Sequence, residues 1–527
     1  MPLSSLRAAV LAVAIATLPG LPAQAATSGN TSAPAATIAW LQAASDADIE
    51  RAFAQARAER KPVLLYWGAK WCPPCNQLKA TLFNRQDFIE RSRAVVAVSL
   101  DGDVPGAQKL GARFKVRGYP TMILFNSQGQ EITRLPGEVD APQVMSVLQL
   151  GLANGRPVKA VLADALAGKN LQPNEWRLLA FYSWDTDEQQ LVPEKERGAL
   201  LAKLAAACRE PESATRLQLK ALAEQADGGT KPDAAQRQRV RQLLADPAAT
   251  RAQMDVVTNG AGDIVKALAG ADKAERDALA QAFDAALQRL QADPTLSRAD
   301  RFTALLRRVE LARLQAGTPK EAKAPPLPAP LLQALREQAA RDDREITDGY
   351  ERQAVITTAA HALQRAGLDA ESDALLKANL AKSHSPYYLM SQLGANARSR
   401  GDKAAALQWY REAYDKSQGP ATRLQWGASY VGALVDLAPE DVPRIEKTVG
   451  ELWAAAAAQP NAFYERSARS LQRVADKLQA WNAGGKHAGA MQRLQAQLQG
   501  VCRKLDAADP QRATCESLLK PAPGQRA

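Results

Sequence analysis

The chain has 527 residues, of which 46% are hydrophobic and 23% are charged, with both signs of charge interspersed. This length predicts about two to four domains, and the composition excludes a wholly disordered chain, a collagen and a disulfide-dense miniprotein. The net charge of +11 includes no dense block of Lys and Arg, so no nucleic-acid partner is expected. The three histidines, His361, His384 and His487, all lie in the last third, which disfavours a histidine-rich metal centre.

The first residues are typical of a secretory signal peptide. Arg7 is positively charged, residues 8–18 are apolar, and residues 23–25 have the small-x-small pattern of a cleavage site. At about 1.5 Å per residue this run covers roughly half of a ~30 Å hydrocarbon core, which favours cleavage over a retained membrane anchor. We therefore predict a signal peptide at 1–25, a linker at 26–44, and a periplasmic or secreted bacterial protein without stable membrane insertion.

Residues 45–155 alternate between helix and strand patterns. Strands are predicted at 63–67, 94–100, 121–125 and 131–135. A first helix is predicted where Ile49, Phe53 and Ala56 recur at helical spacing, and further helices at 73–83, 107–114 and 140–152. A turn at residues 127–129 makes the last two strands an antiparallel hairpin. A βαβ unit followed by ββα predicts one α/β domain with a mixed sheet flanked by helices.

Helical periodicity dominates after this domain. It predicts a helical domain at 156–317, a Pro-rich linker at 318–330 and a second helical domain at 331–527. Gly367 and Gly401 are 34 residues apart, and the pattern around the second, with Gly394 and Tyr410, resembles paired tetratricopeptide helices. An irregular helical bundle fits this pattern equally well. Stacked helix pairs usually bind partners.

The sequence Trp71-Cys72-Pro73-Pro74-Cys75 follows a buried strand and begins a helix. We expect Cys72 to be exposed at the helix N-terminus, where the helix dipole favours the thiolate, with Cys75 one turn further in. A mixed disulfide on Cys72 can then be resolved by Cys75, so the pair is predicted to be a redox-active disulfide with Trp71 packed over it.

A Cys-x-x-Cys pair can have three uses other than redox exchange. A zinc site needs a second Cys or His pair nearby, and haem attachment needs a His where Asn76 stands. An inert structural disulfide is also possible, but the strand–turn–helix context favours exchange. No metal, nucleotide or flavin motif is recognisable, so no cofactor is expected.

Gly118-Tyr119-Pro120-Thr121 lies directly before the third predicted strand. A proline suits the first position of a strand, and a cis bond at Pro120 would turn the backbone toward the cysteines. The backbone of Tyr119 could then pair with an extended substrate. An ordinary turn is the alternative.

Residues 46–153 resemble the thioredoxin superfamily, through the segment from Lys61 to Cys75. Secreted thioredoxin-like domains of bacterial disulfide-interchange proteins are the most similar group. The resemblance implies that Cys72 attacks, Cys75 resolves and Pro120 is a cis-proline facing them. From the residues themselves we predict that Trp71, Tyr119 and Pro120 contact the substrate. Gly137 resembles the glycine near the end of the family's last strand.

The chain departs from the family in two places. Tyr66 replaces a buried acid and Ala97 its paired lysine, so proton transfer would use water or another group such as Asp101. Pro73 and Pro74 lack N–H groups that could stabilise the Cys72 thiolate. We therefore expect a less depressed Cys72 pKa, and a reductant or mild exchanger.

Three cysteines lie outside the motif. Cys502 and Cys515 flank a loop at residues 506–510 in a predicted terminal helix pair, which suggests a structural disulfide. Cys208 is then left unpaired, as a buried core thiol.

The sequence predicts an exported thiol–disulfide oxidoreductase that reduces or exchanges protein disulfides and carries a helical arm for partner binding. Its partners would be proteins with disulfides or thiols and a redox partner protein. The alternative is a scaffold or binding protein in which the helical repeats dominate and the thioredoxin-like domain only docks clients.

Overall fold

The computed structural model describes residues 37–153, 155–225, 233–316 and 326–520. The predicted signal peptide at 1–25 lies outside these residues, as do positions 26–36 of the linker and 318–325 of the Pro-rich segment. Within the described ranges, none of the helices combines the length and the apolar character needed to cross a bilayer.

A mixed five-stranded sheet occupies the N-terminal part of the described chain. Its strands are β1 (Leu41–Gln42), β2 (Val63–Gly68), β3 (Val96–Asp101), β4 (Thr121–Phe125) and β5 (Glu131–Leu135). They are ordered β1-β3-β2-β4-β5, with β1, β3 and β2 parallel and with β4 antiparallel to both β2 and β5. Every residue of β2 and β4 is buried, as expected for central strands covered on both faces. The predicted mixed sheet and its β4–β5 hairpin are confirmed.

Five helices accompany the sheet. They are α1 (Asp46–Glu59), α2 (Pro73–Thr81), α3 (Gln86–Ser92), α4 (Ala107–Arg113) and α5 (Ala141–Leu152). Ser45 and Asp48 form a capping box at the start of α1, and the Asp140 carboxylate accepts the Gln143 N–H at the start of α5. Side chains of α1 and α4 pack with β2 in one apolar cluster, so these helices hold the strand that leads to the cysteines.

The structure contains two elements that the sequence analysis does not predict. Strand β1 pairs with β3 although it lies in the segment assigned to a linker, and its two residues are too few to show periodicity. The N-cap residue of helix α3 is Arg85, whose side chain makes no capping hydrogen bond, so the usual start signal is missing.

The rest of the described chain is helical, as predicted. The helices are α6 (Val158–Leu166), α7 (Pro173–Ala180), α8 (Glu194–Ala207), α9 (Pro211–Glu224), α10 (Ala234–Ala245), α11 (Pro247–Ala252), α12 (Met254–Asn259), α13 (Ala261–Ala269), α14 (Lys273–Ala292), α15 (Arg298–Ala316), α16 (Ala329–Glu345), α17 (Gly349–Arg365), α18 (Asp369–Asn379), α19 (Pro386–Ser399), α20 (Lys403–Lys416), α21 (Pro420–Leu437), α22 (Val442–Ala457), α23 (Glu465–Trp481), α24 (Ala488–Cys502) and α25 (Pro510–Ser517). Helix α16 thus begins inside the segment assigned to the Pro-rich linker.

Two helix pairs lie at the positions of the suspected repeat. Gly367 connects α17 to α18 and Gly401 connects α19 to α20, and both have the positive φ that favours glycine. A Cβ on Gly394 would lie 3.1 Å from the Tyr410 ring, so a small residue allows α19 to approach α20 closely. Whether these pairs are tetratricopeptide repeats stays a prediction.

The helical region returns onto the sheet domain. From Ile38 onward the described residues form one compact unit, in which α17 packs against α2 and α23 packs against α4. This differs from the predicted arm, and it brings helices from the last third of the chain to the cysteine loop.

The remaining cysteines lie far from that loop in the sequence. Cys502, at the end of α24, forms a disulfide with Cys515 of α25, with 5.6 Å between their Cα atoms. Cys208 is free and half-buried, and burial raises the pKa of its thiol. It is therefore less enclosed than the core thiol expected from the sequence.

Candidate active site

The Cys72–Cys75 pair lies where the chain leaves β2 and begins α2. Cys72 is the N-cap residue of α2, and its Sγ accepts a hydrogen bond from the Cys75 N–H at 3.2 Å. The two sulfurs are joined in a disulfide, with 5.2 Å between the Cα atoms. Residues three apart at a helix start lie on one face, which brings these side chains together.

The loop around the disulfide is held by its neighbours. Pro73 and Pro74 occupy the first two helical positions, where neither can donate an N–H, so the Cys75 N–H is the first helical donor. The Asn76 amide donates from Nδ2 to the carbonyl oxygens of Lys70 and Cys72, at 2.9 and 2.8 Å. The sequence indicates only that Asn76 stands where haem attachment would need a His, and it does not predict that Asn76 holds the loop.

Pro120 lies at the same end of the sheet as the cysteine loop. Trp67 of β2 pairs with Thr121 of β4, and because the strands are antiparallel, the end of β2 lies beside the start of β4. The Tyr119–Pro120 peptide bond is cis. A Cβ on Gly137 would lie 3.1 Å from Pro120 Cγ, so this glycine packs directly against the proline.

The expectation that Cys72 is exposed is wrong. Cys72 is 2% exposed and Cys75 is 0% exposed, and helices from the last third of the chain contact the loop that carries them. The Gln353 amide donates to the Trp71 carbonyl oxygen at 3.4 Å, and His384 Nε2 lies 3.0 Å from the carbonyl oxygen of Lys70. No pattern near the motif could have revealed this cover, since it comes from residues about 300 positions away in the sequence.

Aromatic side chains from both parts of the chain surround Trp71. Its ring centroid lies 6.1 Å from that of Tyr119, 6.0 Å from that of Tyr388 and 5.3 Å from that of Trp426. Tyr388 and Trp426 belong to α19 and α21. Trp71 thus packs beside the disulfide as predicted, but its own outer surface is covered by helical residues.

Asp103 connects the cysteine loop to the helical cover. Its carboxylate accepts hydrogen bonds from Trp71 Nε1 at 3.1 Å, from the Thr422 N–H at 2.8 Å and from Thr422 Oγ1 at 2.6 Å. It also accepts one from Arg466 Nη2 at 2.6 Å. The Arg466 guanidinium lies 5.1 Å from the ring centroids of both Trp71 and Tyr119, within cation–π range.

The position at which the family has a buried acid is held by Tyr66, a residue that is uncharged here. Burial raises the pKa of the Tyr66 phenol, and the nearby Asp101 carboxylate raises it further, so Tyr66 stays neutral at physiological pH. Burial also raises the pKa of Asp101. In the sheet, Tyr66 lies opposite Ser99, whereas Ala97 lies opposite Leu64, which corrects the pairing expected from the sequence.

Comparisons with known proteins match this part of the chain. The thioredoxin-like domain family matches residues 49–151, a range that ends within α5. The thiol:disulfide interchange protein DsbD 2 of Pseudomonas aeruginosa is 34% identical over 121 residues, which are 22% of this chain and 21% of that protein. DsbD of Yersinia pestis is 37% identical over 100 residues, covering 18% and 16% of the two chains.

A third relative, DsbD of Pseudomonas fluorescens, is 35% identical over 101 residues, covering 18% of this chain and 17% of that protein. This chain therefore spans only about a fifth of the length of these relatives. The sheet order, the cysteine pair at the start of α2 and the matched range agree with one another. Residues 49–151 are a domain of the thioredoxin superfamily.

Proposed function

We propose that this chain is an exported thiol–disulfide oxidoreductase whose reacting groups are Cys72 and Cys75. The observation that carries the proposal is the disulfide at the first turn of α2, within a thioredoxin-like domain. The positive end of the helix dipole stabilises a thiolate at this position. The relatives' name, thiol:disulfide interchange protein, supports the same class of reaction.

The proposed exchange balances in electrons and protons. In the reduced form, the Cys72 thiolate attacks one sulfur of a substrate disulfide, and the other substrate sulfur leaves as a thiolate and takes a proton. Cys75 then loses its proton and attacks the Cys72 sulfur, which releases the second substrate sulfur as a thiol. Two electrons pass to the substrate and the Cys72–Cys75 disulfide forms. Oxidation of a substrate dithiol is the reverse sequence.

Trp71, Tyr119 and Pro120 are the proposed substrate contacts. All three lie at the end of the sheet that carries the cysteine loop, and Tyr119 and Pro120 are the two residues before β4. An extended peptide at this end of the sheet could pair with the backbone before Pro120, in the manner of strand addition.

The proposed location is the bacterial periplasm or the outside of the cell, which rests on the signal-peptide pattern at residues 1–25. The proposed partners are proteins with disulfides or thiols, together with a redox protein that restores the starting state of Cys72 and Cys75. The tetratricopeptide-like helix pairs are proposed to contribute to the choice of partner.

The burial of both sulfurs favours a second candidate function. A disulfide with 2% and 0% exposed cysteines can also be an inert structural bond, in which case the chain would act as a scaffold or binding protein. The two functions differ in the reduction potential of the Cys72–Cys75 pair, because structural disulfides resist reduction by glutathione.

The deciding experiment is a redox titration of the full chain, equilibrated with glutathione buffers and quenched by alkylation. We expect Cys72–Cys75 to titrate between about −270 and −120 mV, the range of thioredoxin-like exchange proteins, while Cys502–Cys515 stays oxidised as an internal reference. If Cys72–Cys75 also stays oxidised down to about −300 mV, the oxidoreductase is excluded and the scaffold is supported.

A further inference from the structure

The face of the thioredoxin-like domain that surrounds the disulfide is already occupied by the same chain. We call the covering residues the cap. They come from α17, α19, α21 and α23 and are Gln353, Tyr388, Thr422, Trp426 and Arg466. These residues contact Trp71 or its hydrogen-bond partner Asp103, which lie where a substrate would have to bind.

The cap is joined to the domain by a specific contact rather than by apolar packing alone. Gly419, the N-cap residue of α21, makes no side-chain capping bond, and the Asp103 carboxylate accepts the Thr422 N–H of the first turn instead. Asp103 therefore caps a helix of the other region, and its negative charge lies at the positive end of that helix. A Cβ on Gly419 would lie 2.6 Å from Asp103 Cβ, which shows how closely the Asp103 side chain approaches the backbone at the start of α21.

The Asp103–Arg466 ion pair adds to this contact. Both residues are buried, at 6% and 8% exposure, so each charge depends on its partner. The Arg466 N–H also donates to Gln108 Oε1, and the Gln108 amide donates in turn to the Tyr119 hydroxyl. One connected network thus joins the cap to Trp71 and Tyr119.

A protein substrate cannot reach Cys72 through this cover. Exchange requires a substrate sulfur to approach the Cys72 sulfur directly, and with the cap in place on Trp71 and Asp103, Cys72 is only 2% exposed. We propose that the helical region is an intramolecular cap, held by the Asp103–Arg466 contact, which must separate from Trp71 before Cys72 exchanges with a protein. This inference rests on the proposed function, and it identifies how access to that site is controlled.

The test measures how fast dithiothreitol reduces each disulfide of the oxidised full chain, followed by alkylation and peptide mass analysis. Cys502–Cys515 is the internal reference, because its cysteines are 2% and 0% exposed, as are those of the pair under test. Arg466→Met should accelerate reduction of Cys72–Cys75 by about tenfold or more, equal to about 1.4 kcal/mol, and leave Cys502–Cys515 unchanged.

The matched control is Arg336→Met, which removes an exposed ion pair with Glu371 and should change neither rate. Should Arg466→Met unfold the chain, both disulfides would react faster. In that case Thr422→Val, which deletes only the hydroxyl bonded to Asp103, is the deciding variant. It should raise the reduction rate of Cys72–Cys75 relative to that of Cys502–Cys515. If neither Arg466→Met nor Thr422→Val changes the ratio of the Cys72–Cys75 rate to the Cys502–Cys515 rate, the proposal is wrong.

Insulin reduction separates this proposal from the proposed function. If Arg466→Met makes the disulfide accessible but the chain still reduces no insulin, the cap is supported and the oxidoreductase function is wrong. If the unmodified chain reduces insulin as fast as the Arg466→Met variant does, the oxidoreductase function is supported and the cap proposal is wrong.

Discussion

The role of Cys72 can be predicted from this sequence, whereas the role of Asp103 cannot. Cys72 belongs to a local pattern of strand, cysteine pair and helix start, and the structure places it at the N-cap of α2. Asp103 lies in a loop with no recognisable motif, and its partners Thr422 and Arg466 are 319 and 363 residues away. The cysteine pair at a helix start was therefore predictable, and so was the inner position of Cys75, whereas the burial of Cys72 was not.

Pro74 is expected to influence the potential of the cysteine pair. An N-cap side chain accepts hydrogen bonds from the second or third helical N–H, and Pro74 removes the second. Pro74→Ala should stabilise the Cys72 thiolate and make the midpoint potential more positive by about 30 mV or more, since a bond to a charged group contributes about 1.5–3 kcal/mol.

Pro73→Ala is the control for this prediction, because the first helical N–H points away from an N-cap side chain. Both variants are measured by the glutathione titration of the full chain. Equal shifts for the two variants would show that the missing Pro74 donor does not determine the potential.

At the scale of elements, the patterns that predicted structure correctly were the periodic ones. The strands β2, β4 and β5 and the helix α5 lie within a residue or two of their predicted bounds, since each has a clear apolar run or a capping residue. The missed elements, β1 and α3, are short and lack such signals. The helix pairs around Gly367 and Gly401 were visible because a positive φ favours glycine at each turn.

The α24–α25 pair is expected to depend on its disulfide. Cys502 and Cys515 are 13 residues apart, and closing a loop of this size stabilises a fold by about 3 kcal/mol. Replacing both with Ser should lower the free energy of unfolding by about that amount, as measured by urea denaturation. The control is Cys208→Ser at the free cysteine, and a loss no greater than in this control would contradict the prediction.

At the scale of the whole molecule, the main finding is that the helical region packs onto the thioredoxin-like domain. Composition and periodicity predicted both regions, but neither contains information on how a helix near residue 466 meets a loop near residue 103. That contact arises from one buried ion pair, one capped helix end and a few aromatic rings. It turns a site that the sequence presents as accessible into a covered one.

The central claim is that Cys72 attacks protein disulfides once the cap has separated. The most direct test is a trapping experiment with a full chain that carries Arg466→Met and Cys75→Ser, incubated with insulin and analysed by mass spectrometry. The account predicts a stable mixed disulfide between Cys72 and insulin, absent when Cys72→Ser replaces Cys75→Ser. No complex, or an equal yield through Cys75, would contradict it.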